Sequence, residues 1–245
     1  MPAFFIDSRD LCGQSATITG ELFHHLRASL RLQRNDHFHL TDERRRRHRA
    51  VVTEVTHNQL TARIIDTVEG PTRLYPSLIL GQAILKGEHM DWIVQKAGEL
   101  GVETIVPLVT RHTIVRPRPA RVDSQTTRWR RIAREAAQQS EQWHIPAVQP
   151  PCEAAEFFTQ TKAAGRLVLV ERAQAISVSD VPVPTEPAAS LIIAVGPEGG
   201  WQADEAAMAR EHGFQPVTLG PMILRSETAS LAALAILQSR LGLLR

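Results

Sequence analysis

The stretch LIIAVGPEGGW, Leu191 to Trp201, limits what this chain can fold into more than any other. Its first five residues are all apolar, too short a run for an ordinary helix and without polar alternation, so they read as a strand buried on both faces. Such strands belong to parallel sheets covered by helices on either side. The run passes at once into a Gly-rich turn, and a helix is expected from Gln202 to His212, an arrangement in which open α/β sheets bind their ligands. Gly196, Gly199 and Gly200 would let the backbone approach a ligand closely. A turn that simply needs glycine gives the same letters, and the spacing is neither GxGxxG nor that of a phosphate-binding P-loop.

The surrounding sequence extends the α/β pattern. Leu78 to Leu85, Thr104 to Val109, Arg166 to Glu171 and Pro216 to Leu219 read as further strands. Met90, Ile93, Val94, Ala97 and Leu100 mark a helix that Gly101 ends, and a second helix runs from Ser124 to Ser140. A terminal helix from Glu227 to about Leu243 places Leu231, Leu234, Ala235 and Leu241 on one face. Residues 172 to 190, rich in Ala, Val, Ser and Pro, read as a surface excursion between core strands.

The first part of the chain has a different texture. Ala16 to Thr19, His37 to Leu40, Ala50 to Thr56 and Gln59 to Val68 read as short strands separated by polar turns. They are interrupted by one helix, Glu21 to Leu32, with Leu22, Leu26 and Leu30 on one stripe. Gly70 and Pro71 punctuate the change, so two domains are expected: a β-rich, barrel-like domain over 1–72 and an α/β domain over 73–245.

Charge placement points to a polyanion. From His24 to Arg49 eight arginines face three acids, a net +5, and from Arg111 to Arg134 eight face Asp123 alone, a net +7. The whole chain is only +2, which leaves −10 elsewhere. A dedicated basic face on an otherwise acidic protein suits RNA, and arginine forks grip phosphate and stack on bases. Codon bias toward arginine would raise the arginine count without clustering it. No apolar run approaches the roughly 20 residues that span a bilayer. The start, MPAFFIDSRD, carries charge where a secretion signal needs an apolar core, so a cytoplasmic protein with no membrane association is expected. Cys12 and Cys152 lack metal-site spacing and read as ordinary thiols.

A second cluster, LGPMILRSETA from Leu219 to Ala229, also follows a strand end and opens a helix. Ser226 can cap that helix and Glu227 can complement its dipole. Arg225 has no such explanation, because a cation at a helix start opposes the dipole.

With GPEGG and LGPMILRSETA at this separation, the chain resembles the ribosomal RNA small-subunit methyltransferase E family of the SPOUT superfamily. KGEHMDWIVQKAGELGVETIVPL (Lys86 to Leu108), REAAQQS (Arg134 to Ser140) and HHLRASLRLQRND (His24 to Asp36) extend the resemblance over most of the sequence. The resemblance implies a PUA-like β-barrel followed by an α/β domain whose C-terminal segment threads a trefoil knot, which ordinary connection rules would not suggest. It implies S-adenosylmethionine as cofactor, with no metal, and methylation of N3 of a uridine in 16S rRNA or the small subunit by a homodimer. Val195, Gly196, Glu198, Gly199, Gly200, Leu219, Gly220, Ile223 and Leu224 would form the cofactor pocket. Arg225 would stabilise negative charge on the uracil ring, and Glu198 would accept the imide proton or hold the loop shape. His24, Arg27, Arg31, Arg44, Arg45, Arg46, Arg47, Lys86 and Arg111 would contact RNA. A methyltransferase of the same fold acting on another RNA, or a non-catalytic RNA-binding assembly factor, fits the same residues.

Two places depart from the family pattern. Gln138 to Gln142, QQSEQ, stands where relatives usually carry Glu-Gln-x-x-Arg, and Thr41 to Arg47, TDERRRR, has no glycine where relatives usually have one in a turn. Both departures bear on RNA contacts.

Overall fold

Two hydrophobic patterns, one of alternating strands and one of continuous apolar runs, separate into two compact units: 1–72 with 137–144, and 73–136 with 145–245. The structure, a computed structural model, describes residues 3–28, 30–171 and 175–244.

The first unit is a six-stranded sheet. Its strands are β1 (Ala3–Phe5), β2 (Leu11–Cys12), β3 (Ser15–Ile18), β4 (His37–Thr41), β5 (Arg46–Val55) and β6 (Leu60–Glu69), in the order β1-β4-β5-β6-β3-β2. All pairs are antiparallel except β1 with β4. One helix, α1 (Gly20–Ala28), closes the sheet, and Phe23 and Leu26 pack into a core that contains Ile18, Phe38, Leu40, Val52 and Leu60. The helix is shorter than the sequence suggests, and its stripe is different. Phe23 rather than Leu30 fills the core, and Leu30 lies exposed beyond the helix end.

The glycine-free turn between β4 and β5 is built around a buried acid. Asp42 accepts the Arg44 and Arg46 backbone N–H groups at 3.0 and 2.9 Å and the Arg46 guanidinium at 2.8 and 2.7 Å. Burial alone would raise the Asp42 carboxyl, but the hydrogen bonds from Arg46 and from His48 outweigh it and hold it below its ordinary value. Arg45 then sits at φ 62°, a left-handed conformation that costs a non-glycine residue about 1–2 kcal/mol. Gly70 donates to Arg45 O at 2.7 Å, so close that a β-carbon on Gly70 would lie 2.6 Å from that oxygen. The divergent segment after the long helix belongs to this unit. Glu141 and Gln142 offer their carbonyls to Arg47 Nη2 at 2.9 and 3.1 Å, and the Arg47 guanidinium stacks 4.0 Å from the Trp143 ring centre.

The second unit is a parallel sheet with helices on both faces. Its elements are β7 (Ser77–Ala83), α2 (His89–Glu99), β8 (Thr104–Val109), α3 (Val122–Gln139, whose last residues join the first unit), β9 (Ala147–Val148), β10 (Cys152–Glu153), α4 (Ala154–Gln160), β11 (Gly165–Leu169), β12 (Ile176–Ser177), β13 (Ser190–Val195), α5 (Ala203–Glu211), β14 (Gln215–Thr218) and α6 (Ser226–Arg240). Strand order is β10-β8-β7-β13-β11-β14-β12, with β9 also on β8. The central strand β13 shows why its sequence is continuously apolar. Leu191, Ile193 and Val195 join the core with α2, α3 and α6, whereas Ile192 and Ala194 join Phe157, Phe158 and Phe214 on the α4 and α5 side. Residues 175–189 are more than an excursion, because Ile176 and Ser177 pair with Val217 and Thr218 at the sheet edge; 172–174 of that stretch lie outside the described residues.

The strained turn makes a stability prediction. Arg45→Gly relieves a positive φ and removes a buried Nε without a hydrogen-bond partner, and glycine's larger unfolded-state entropy offsets part of the gain. Stability to urea should rise by up to about 1 kcal/mol. A fall would mean that the arginine stem supports the turn by packing.

Candidate functional site

Each of the two loops singled out in the sequence leaves the C-terminal end of a parallel strand, 196–202 from β13 and 219–225 from β14. Between them lies a cavity of about 810 Å³ in the second unit. It is lined by Val195, Gly196, Glu198, Gly199, Gly200, Leu219, Gly220, Ile223, Leu224 and Arg225, and Lys86 also reaches it. The size suits a nucleoside-like ligand.

A buried polar clip joins the two loops. Ser226 Oγ donates to Gly196 O at 2.6 Å and accepts from Gln82 Nε2 at 3.3 Å. Ser230 Oγ donates to Gln82 Oε1, and Gln82 Nε2 also reaches Ala83 O at 3.0 Å. Gln82, Ser226 and Ser230 are all buried, so each of these bonds replaces a lost contact with water. This corrects the expected role of Ser226. Arg225, in an extended conformation, holds the N-cap position, and Ser226 turns its hydroxyl inward to the other loop instead of capping α6.

The glycines have distinct reasons. A β-carbon on Gly196 would lie 3.2 Å from the Trp201 indole, which is itself held by a 3.0 Å bond from Nε1 to Leu169 O. Gly200 and Gly220 have φ of 70° and 111° with open space where a side chain would stand. The walls therefore present backbone groups and apolar side chains together with charged ones such as Glu198 and Arg225, and Met222 and Ile223 are 74% and 51% exposed at the rim.

The charged candidates are placed unevenly. Arg225 is exposed on the cavity wall. Glu198 Oε1 accepts the Lys86 backbone N–H at 3.3 Å, so this carboxylate ties the loop to the segment between β7 and α2. Glu227 lies 3.5 Å from His89 Nδ1, both beside the cavity. Arg111 lies outside the lining; its guanidinium is 3.5 Å from Asp204. In the first unit, Arg27 and Arg31 line a separate cleft with Arg34, and His24 and Arg44 are exposed. Arg46 and Arg47 are committed to internal partners, and Arg45 is half-buried. Sequence reading missed Gln82 and His112. A lone amide in the apolar run LILGQAIL was a signal for Gln82, whereas nothing local distinguished His112.

Residues 73–238 match the model of an RNA methyltransferase domain, and residues 18–65 match that of an RNA methyltransferase PUA domain. The chain belongs to this RNA methyltransferase family. Among its relatives, ribosomal RNA small subunit methyltransferase E of Synechocystis is 34% identical over 90% of this chain and 72% of its own length. The Mycobacterium bovis protein of the same name is 30% identical over 97% and 92%. Ribosomal RNA small subunit methyltransferase E from Neisseria gonorrhoeae, solved bound to S-adenosyl methionine, superposes with a TM-score of 0.87 at 32% identity over 98% of each chain. A Legionella pneumophila methyltransferase solved with bound cofactor SAM gives 0.90 at 29% identity over 97% of each. The fold is thus a PUA-like domain followed by an α/β methyltransferase domain of the SPOUT class.

The clip in this methyltransferase domain is testable by unfolding. Ser226→Ala leaves the buried Gly196 carbonyl and the Gln82 amide short of a partner and should cost about 1–3 kcal/mol in urea denaturation. A loss below about 0.5 kcal/mol, the lower edge for one ordinary hydrogen bond, would show that the loops are held together by packing alone.

Proposed function

We propose that this chain transfers the methyl group of S-adenosylmethionine to N3 of a uridine in 16S rRNA. The observation that carries the reading is that the loops at Gly196–Gly200 and Leu219–Leu224 wall one cavity with Arg225 at its side, in a chain similar to two structures with that cofactor bound. The cofactor, when bound, supplies a methyl group already activated by its sulfonium. The protein's task is then alignment and charge control.

Backbone groups of the two loops hold the adenosine, and Leu219, Ile223 and Leu224 exclude water around it. The N3–H of uracil is weakly acidic, so attack from N3 requires loss of that proton and stabilisation of charge spread onto the ring oxygens. Arg225 supplies the stabilising cation. Glu198 is anchored through Oε1 and has Oε2 to accept the N3 proton.

RNA binds through His24, Arg27, Arg31 and Arg44 on the first unit, with the half-buried Arg45 beside them and Arg46 and Arg47 shaping that surface from their internal partners, and through Lys86 and Arg111 on the second. Phosphate contacts of this kind set affinity and position rather than sequence choice. A trefoil thread in the second unit is part of this reading. It is supported by α6, which leaves the β14 side of β11 and packs on α2, β7 and β13 beyond it. A homodimer is supported by the exposed apolar rim at Met222 and Ile223. A cytoplasmic location fits the ribosomal substrate, and among the described residues no helix is long and apolar enough to cross a membrane.

Calorimetric titration with S-adenosylhomocysteine tests the pocket directly, and saturable binding is expected. No binding by folded protein that still binds rRNA would replace this reading with that of a non-catalytic assembly factor. Arg225→Ala should lower kcat roughly 100-fold or more, with the S-adenosylhomocysteine Kd little changed. An unchanged rate removes Arg225 from the chemistry. Loss of the gene should abolish one 3-methyluridine in 16S rRNA; loss of a tRNA methylation instead would reassign the substrate.

A further inference from the structure

The turn after β8 carries a histidine that no step above uses. His112 is half-buried, and its ring lies 3.2 Å from the position a β-carbon would take on Gly199. Its Nδ1 is 3.0 Å from Gly200 O, and its Nε2 is 2.6 Å from Gln202 Nε2. A carbonyl oxygen only accepts, so the proton sits on Nδ1. In the neutral ring Nε2 is then the acceptor for the Gln202 amide N–H. Both ring nitrogens are thereby committed to the segment that walls the cavity.

The turn that presents this ring is itself built. Thr110 N–H donates to Thr113 Oγ1 at 2.8 Å, and Arg111 N–H donates to Glu205 Oε1 at 2.9 Å. Glu205 also accepts the Gln202 N–H at 3.0 Å through Oε2, closing the first turn of α5. Arg111 and His112 thus join residues about ninety positions away, Arg111 through Asp204 and Glu205 and His112 through Gly200 and Gln202, and of the two it is His112 that touches the glycines.

We propose that His112 is a positioning residue of the cofactor pocket, holding the Gly199–Gly200 backbone in the shape that receives S-adenosylmethionine. The inference rests on the cofactor reading above. Two adjacent glycines, one at φ 70°, have wide freedom when released, and reordering them would be charged against binding. The effect therefore falls on cofactor affinity: KM for S-adenosylmethionine rises, and kcat at saturation is retained.

The test compares the full-length wild type with His112→Asn, which keeps an N–H donor near the Nδ1 position, and His112→Asp, which puts an acceptor there. Calorimetry with S-adenosylhomocysteine should give a Kd for the Asn protein within about twofold of wild type and one for the Asp protein weaker on the order of tenfold, the scale of one lost hydrogen bond at a part-buried acceptor. His112→Leu, donorless and uncharged, should match Asp and serves if Asp does not fold. A folded donorless variant that binds like wild type overturns the proposal. So does an Asn variant as weak as the donorless ones, because shape rather than donation would then be what matters. If wild type itself takes no S-adenosylhomocysteine, the cofactor reading fails first and this inference falls with it.

Discussion

The hydroxyl of Ser226 donates to the carbonyl of Gly196 across thirty residues of chain, and that contact joins the two loops that wall the cavity. A parallel sheet delivers loops to one edge but leaves their mutual distance open. Here the distance is set by a buried hydroxyl, an amide from β7 and a second serine one turn along α6, each of which would be costly to leave unpaired. The same clip directs the start of α6 and leaves Arg225, immediately before it, in an extended conformation beside the cavity. One network therefore joins the two loops and sets where Arg225 stands on the cavity wall.

The first unit solves a different problem, that of concentrating positive charge without unfolding. Four consecutive arginines repel one another, and the buried Asp42 carboxylate offsets that repulsion from inside the turn. Arg47 is held by two carbonyls and the Trp143 ring, so part of the basic run is architecture. Arg31 and Arg44, by contrast, are exposed. Charge counts along a sequence cannot make this division, because it depends on which guanidinium meets a buried partner.

Both departures from the family pattern fall in this first unit. The missing glycine between β4 and β5 is answered by Arg45 accepting a left-handed conformation, and the segment at Gln138 to Gln142 meets Arg47 through backbone carbonyls, which any residue provides.

The sequence by itself determined the class of each half, the approximate strands and helices, and the two loops of the cavity. Continuous apolar runs such as LIIAV and glycines with few other uses are local signals of burial and turning. Tertiary structure decided how those loops meet, through Gln82, Ser230 and His112, whose partners lie about 90 to 150 positions away. It also turned Ser226 from a helix cap into a loop clip and brought residues 137–144 into the first unit. A hydrogen-bonding side chain looks the same in sequence whether water or a distant carbonyl satisfies it, and only folding selects between them.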